Sequence, residues 1–194
     1  MRTMTTPESS PAGLLHLLQT SDALYPTGAY AHSHGLEGLV EAGLVTVAAD
    51  LERYLAESFL PQLIHAELPW VFLAHAATEI PRLCELDAAC RAQRATRELR
   101  EASSRIGSQR LRLAADAEGH PLLRLLVREL ETGAFTGQAP VVAGVVAAGA
   151  GVGADAAATA HAYQAVSGQL GSAMKLIRLG QQGVDQVGRL DLRV

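Results

Sequence analysis

The sequence is poor in aromatic rings, in charge and in cysteine. Of 194 residues, 4% are Phe, Trp or Tyr and 19% are charged, with 16 Lys+Arg against 20 Asp+Glu for a formal net charge of −4. Binding to nucleic acid needs clustered Lys/Arg to neutralise phosphates, or rings on which bases stack. Neither is present in quantity, so no nucleic-acid partner is expected. The two cysteines, Cys84 and Cys90, are too few for a disulfide scaffold and their spacing matches no common metal knuckle. They read as two reduced, partly buried thiols of a cytoplasmic protein. Residues 1–10 are polar and carry no apolar signal core. The stretch Ala139–Ala154 holds 16 uncharged residues before Asp155 and is mostly Ala, Gly and Val. That is short of the ~20 residues that cross a bilayer, so a buried central helix is expected there and no membrane partner.

Signatures of catalysis are missing as well. No Gly-Lys-Ser/Thr follows a Gly-rich turn, no G-x-S-x-G elbow is present, and no H-E-x-x-H occurs. The glycines of 144–153 lie within a helical pattern rather than after a strand. No stretch alternates apolar and polar residues between hairpin turns, so strands are not expected. No residue pattern here points to a catalytic centre or to a cofactor.

What is present is an ordinary globular apolar fraction, 48%, patterned at helical spacing. The expectation is all-α: a flexible tail over 1–10 and one domain over 11–194, a bundle of about eight to ten helices. Pro11–Gln19 carries Leu14, Leu15, Leu17 and Leu18 on a wide apolar face. Ser33–Ala42 is the next helix, ended by Gly43. Asp50 opens another, with Leu51, Tyr54, Leu55, Ser58 and Phe59 in step. Pro61, Pro69 and Pro81 are expected to divide the chain beyond Phe59 into several short helices, each proline in a first turn. Arg91–Ala117 reads as the longest helix, with a seam of Leu99, Ala102, Ile106, Gln109 and Leu113 and the arginines 94, 97, 100, 105, 110 and 112 around it. Leu122–Leu130 and the buried Gln138–Gly149 come next. Asp155 is expected to cap a last helix to about Leu179, with Tyr163, Val166, Leu170, Met174 and Ile177 inward and Lys175 and Arg178 complementing its dipole.

Three features could carry chemistry. His32 and His34 could share a metal on an extended segment, but on a helix they would diverge; a capping role for His32 or Ser33 is the plainer reading. The remaining histidines, 16, 65, 75, 120 and 161, read as scattered surface or core residues. Arg97, Glu98, Arg100, Glu101 and Arg105 lie on neighbouring turns and read as a self-paired, solvated face. A charged docking surface is the functional alternative. Pro26–Glu37 packs two glycines, a proline, a tyrosine and two histidines between helices. It is either a tight corner or a recognition loop.

Residues 17–43, LLQTSDALYPTGAYAHSHGLEGLVEAG, resemble the opening block of the urease accessory protein UreF family. Residues 95–115, ATRELREASSRIGSQRLRLAA, are similar to that family's Arg- and Glu-bearing helix. GQAPVVAGVV (137–146) and AMKLIRLGQ (173–181) resemble its later blocks, in the same order. The resemblance spans most of residues 14–182. It implies an all-α, non-catalytic scaffold, usually a homodimer, that bridges UreD (also called UreH) and the GTPase UreG while nickel is loaded into the urease apoprotein. By position it implies partner contacts at Tyr25, Tyr30, His32, Ser33, Glu37, Arg97, Glu98, Arg100, Glu101, Lys175 and Gln181, with Tyr163 and Arg178 as further interface positions. The family's acidic C-terminal tail is not matched here, where the sequence ends RLDLRV, and weaker docking to UreD is the expectation. The rival is a small metal-binding helical protein, a nickel carrier or a hydrolase, using His32 and His34 with Glu37.

Overall fold

The computed structural model describes residues 11–22, 25–28, 35–118 and 120–177. All regular structure among them is helical: α1 Pro11–Ser21, α2 Leu36–Glu41, α3 Ala48–Tyr54, α4 Leu60–Gln62, α5 Leu68–Ala76, α6 Ile80–Gln93, α7 Arg97–Glu118, α8 Pro121–Thr132, α9 Ala139–Gly149 and α10 Ala154–Leu176. The expected all-α class is therefore observed. The tail over 1–10 lies outside the described residues.

The prolines of the third rod do not cut it into separate helices. α3, α4 and α5 form one continuous helical run, joined by π-helical turns over Leu55–Phe59 and Leu63–Glu67. In these turns Leu60 N–H donates to Leu55 O and Leu68 N–H donates to Leu63 O, the five-residue spacing of a π turn. Each π turn ends two residues before a proline, Pro61 and Pro69. A proline lacks the N–H for a normal helical bond and its ring collides with the carbonyl four residues back. A turn widened by one residue moves that carbonyl aside, so the chain continues. Pro81, Pro121 and Pro140 do begin helices, in first turns where no N–H is missed.

α9 is the axis of the molecule. Pro140 to Ala147 are all buried, and α5, α6, α7, α8 and α10 pack around them. Two apolar clusters meet on it. One joins Leu36, Leu51, Leu55, Leu63, Leu68 and Val71 to Ala158, Ala162, Val166 and Ala173 of α10. The other joins Leu83, Leu86, Leu111, Leu123, Leu126 and Phe135 to Val141, Val142, Val145 and Val146 of α9. The close approach is made possible by small residues. A Cβ on Gly144 would lie 2.3 Å from Val71 O, and one on Gly107 would lie 2.1 Å from Gly137 O. Backbone therefore rests directly on backbone at both crossings.

Several boundaries differ from the sequence reading. The expected Arg91–Ala117 helix breaks at Arg94, whose ψ of 115° is extended. α7 restarts after Thr96, whose hydroxyl accepts from Leu99 N–H at 3.3 Å. α7 buries Ala102, Ser103, Gly107, Arg110, Leu111, Ala114 and Ala115. Gln109, expected in the seam, is exposed, and Arg110, expected outside it, is 8% exposed. Asp155 lies within the first turn of α10 and makes no cap; Gly153 is the N-cap. Tyr163 and Met174, expected inward, are 58% and 57% exposed.

Gly144→Ala should lower stability by about 1–3 kcal/mol, as overpacking against backbone does. Gly38→Ala, in a helix with nothing near the added carbon, should raise it by roughly 0.5–1 kcal/mol. Urea unfolding followed by circular dichroism distinguishes the two signs.

Candidate functional site

A chain of polar groups runs through the apolar interior and begins at Asp87 on α6. Its side chain is 1% exposed. Oδ2 accepts from Thr136 N–H and from the Thr136 hydroxyl at 2.6 and 2.7 Å, and Oδ1 accepts from Gln138 N–H at 2.6 Å. One carboxylate thus satisfies the irregular segment that leads into α9, which would otherwise bury unpaired amides. Ser104 and Ser108 of α7 bind the Thr136 carbonyl from the other side.

From Gln138 the chain passes to a charged triad. Arg94 Nε donates to Gln138 Oε1 at 3.2 Å, and Arg94 Nη1 lies 2.8 Å from Glu67 Oε1. Glu67 Oε2 lies 3.1 Å from His161 Nε2 of α10. Glu67 ends the second π turn, with φ of −117°. The break at Arg94 and the widened turn at Glu67 are thus the two irregularities that bring these side chains together. Burial would raise the Glu67 carboxyl, but the hydrogen bond from His161 and the charge of Arg94 outweigh it and hold it at about 2. Near neutral pH the carboxylate is ionised, so Nε2 of His161 carries the proton between them, and Nδ1 is left buried without a partner.

Beside the triad is a cavity of about 90 Å³ between α7 and α10. Leu99, Ile106 and Ala165 supply its apolar wall; Glu67, Arg94, Arg110, His161, Ser103 and Ser167 supply polar groups, and Ser21, Asp22, Tyr25 and Thr27 close it from the N-terminal side. Arg110 Nη2 donates to Thr20 O at 2.6 Å and to Gln164 Oε1 at 3.0 Å. It thereby fastens the C-terminal end of α1, whose last carbonyls have no helical donors.

The residues singled out by sequence fall in several places. Tyr25 lines the cavity. Glu37 is exposed on α2, and Arg97, Glu98 and Glu101 are exposed on the first turns of α7. Arg97 Nε donates to Glu101 Oε1 at 2.7 Å, with side chains 77% and 54% exposed. Arg100 instead turns back, Nη1 donating to Arg94 O at 2.7 Å and Ala95 O at 3.1 Å, so it closes the end of α6. Tyr163 and Lys175 are exposed on α10. Tyr30, His32, Ser33, His34, Arg178 and Gln181 lie outside the described residues. Glu67, Asp87, Arg110, Gln138 and His161 were not among the sequence candidates, because an isolated charge in a helical pattern reads as a solvated face. The one available signal was a polar residue at a position in step with apolar neighbours, as Arg110 is with Gly107, Leu111 and Ala114. The cysteines are free; Cys90 is buried, and burial pushes its thiol up to about 12. Cys84 is partly buried, and burial raises its thiol as well.

Glu67→Gln should destabilise the protein by about 3 kcal/mol at neutral pH, because Arg94 is left buried without its counter-charge. Glu67 has a folded pKa of about 2 against an ordinary value of 4.5. Its ionic contribution is therefore complete above about 4.5 and is lost as pH falls from there toward 2. The gap between wild type and variant should narrow over that interval, read as unfolding free energy in urea at a series of pH values.

Known proteins resemble this chain over most of its length. The UreF family model matches residues 45–188. A urease accessory protein UreF of Kocuria rhizophila is 33% identical over 174 residues, covering 90% of this chain and 74% of that protein. The UreF of Actinobacillus pleuropneumoniae serotype 5b is 34% identical over 87% of this chain and 74% of its own length, and that of Haemophilus influenzae 86-028NP is 33% identical over 87% and 72%. The matched region takes in the π-turned rod from α3, the break at Arg94, the central helix and α10, and on that basis this chain belongs to the UreF family of urease accessory proteins.

Proposed function

We propose that this chain is a non-catalytic scaffold that bridges UreD (UreH) and the GTPase UreG, as a homodimer, during nickel insertion into apo-urease. Family membership carries the reading. It takes residues 11–194 as one docking unit in the cytoplasm. Two exposed surfaces support it. The first turns of α7 present Arg97, Glu98 and Glu101 to solvent, with Arg100 holding the α6 end rigid beneath them. α1 and α10 pack together, and between them they leave Leu14, Leu15, Leu18, Tyr163 and Met174 more than half exposed. Large apolar side chains at the surface of one subunit suit an interface. The Arg97–Glu101 pair is exposed on both sides, so its contribution to folding is small, and its charges are free to serve docking.

The metal-binding rival draws on His32 and His34, which lie outside the described residues. Among the described residues no group of three His, Cys, Asp or Glu side chains could hold an ion. No observation here favours it.

Co-expression with UreD and UreG, followed by size exclusion, tests the proposal: the chain should co-elute with both, and failure to co-elute with either overturns it. Glu98→Lys combined with Glu101→Lys should weaken complex formation while circular dichroism is unchanged. Intact complex formation by the folded double variant would remove α7 from the docking surface.

A further inference from the structure

Beyond partner docking, we propose that the cavity between α7 and α10 is a binding site for a carboxylate, held by the guanidinium of Arg110. The charges around this cavity are out of balance. Arg110 is 8% exposed, and among the described residues it forms no ion pair, whereas the partly buried Arg94 has Glu67 at 2.8 Å. Its two hydrogen bonds both leave Nη2 and both end on neutral oxygens, Thr20 O and Gln164 Oε1. Nε is buried with no partner at all. A guanidinium has five donors, and a charge taken out of water without a counter-ion is costly. Burial presses its pKa down, against a smaller opposing effect of Tyr25.

The space beside this group is shaped for an anion of one kind. About 90 Å³ is several times what a single water needs, ~10–15 Å³. Thr27 Oγ1, like Nδ1 of His161, is a further buried polar atom on a lining residue without a partner. Ser103 Oγ accepts from Ala139 N–H at 3.0 Å, which leaves its hydroxyl proton to donate. Two acidic groups also reach the lining. Glu67 is neutralised by Arg94 and His161, and Asp22 is exposed. Leaving out the exposed Asp22, the balance among the remaining charged lining groups is therefore one positive charge. One guanidinium, hydroxyl donors and an apolar wall of Leu99, Ile106 and Ala165 suit a monoanion with a short hydrocarbon stem. A phosphate dianion would ask for more positive charge than is there. A carboxylate matches the planar fork of the guanidinium.

The carboxylate could be a free small acid or the acidic side chain of a peptide, and two probes tell these apart. Sodium acetate, with sodium chloride at equal ionic strength as control, stands for the first. The tripeptide acetyl-Gly-Glu-Gly-amide, with its Gln counterpart as control, stands for the second. The readout is the ¹⁵Nε–Hε signal of Arg110, assigned by its absence in Arg110→Met, with the melting midpoint as a second measure. A saturable shift with acetate supports the site with a free acid as ligand. A shift with the Glu tripeptide alone supports it with a side chain as ligand. No saturable response to either overturns it. Arg110→Met should weaken binding at least about tenfold, the loss expected for a charge-assisted pair. Because Arg110 also fastens α1, Thr27→Val is the second variant; it keeps the guanidinium and the volume and should weaken binding about two- to tenfold. Binding unchanged in both folded variants overturns the site. So does binding unchanged in Thr27→Val when Arg110→Met does not fold.

Discussion

The carboxylate of Glu67 is the interaction on which the arrangement of the helices turns. It is set between a guanidinium from the α6–α7 break and an imidazole from α10, so three separate parts of the chain meet on two oxygen atoms. A buried ion pair contributes little to net stability once desolvation is subtracted. What it contributes here is register. Apolar surfaces slide at small cost, but a carboxylate that must meet both Arg94 and His161 admits one placement of α5 against α10. The same logic applies at Asp87, which fixes the segment before α9 through three hydrogen bonds.

This explains how so small a set of side chains can organise a core built mainly of Leu, Val and Ala. The central helix carries no charge from Ala139 to Gly149 and would pack in many rotations. Gly144 and Gly107 reduce the choice by demanding contact with particular carbonyls. The polar chain from Asp87 to His161 reduces it further. Close packing and polar register act together, at the start of α9 through Gly107 and Asp87 and at its middle through Gly144.

The legibility of the sequence follows the same division. The periodic apolar segments α8, α9 and α10 could be read to within a few residues, since their faces repeat at 3.6 and their starts carry Pro or Gly. The buried nature of α9 was legible from its lack of charge. The rod from Ala48 to Ala76 was misread, because Pro61 and Pro69 ordinarily end helices and nothing local announces a π turn. The break at Arg94 was missed because the arginine-rich run through it keeps high helix propensity. The site itself was hardest. Its members are far apart in sequence, Glu67 with His161 and Arg110 with Thr20, and a lone charged residue gives no sign of whether it will face water or a partner. The exposed face at Arg97–Glu101 was legible for the opposite reason: i,i+4 pairing is a local property.

The widened turns in the third rod have a consequence for how this chain tolerates change in length. Each π turn holds one more residue than a normal turn, and an added residue rotates everything after it by about 100° about the axis. The rod thus contains two phase shifts, and beyond them α5 packs on both α9 and α10. A single-residue deletion at either turn would restore ordinary winding locally, yet swing Val71 and Ala74 away from the central helix. Natural variation in this stretch should therefore favour exchange of side chains over gain or loss of residues, with the two prolines acting as its pins.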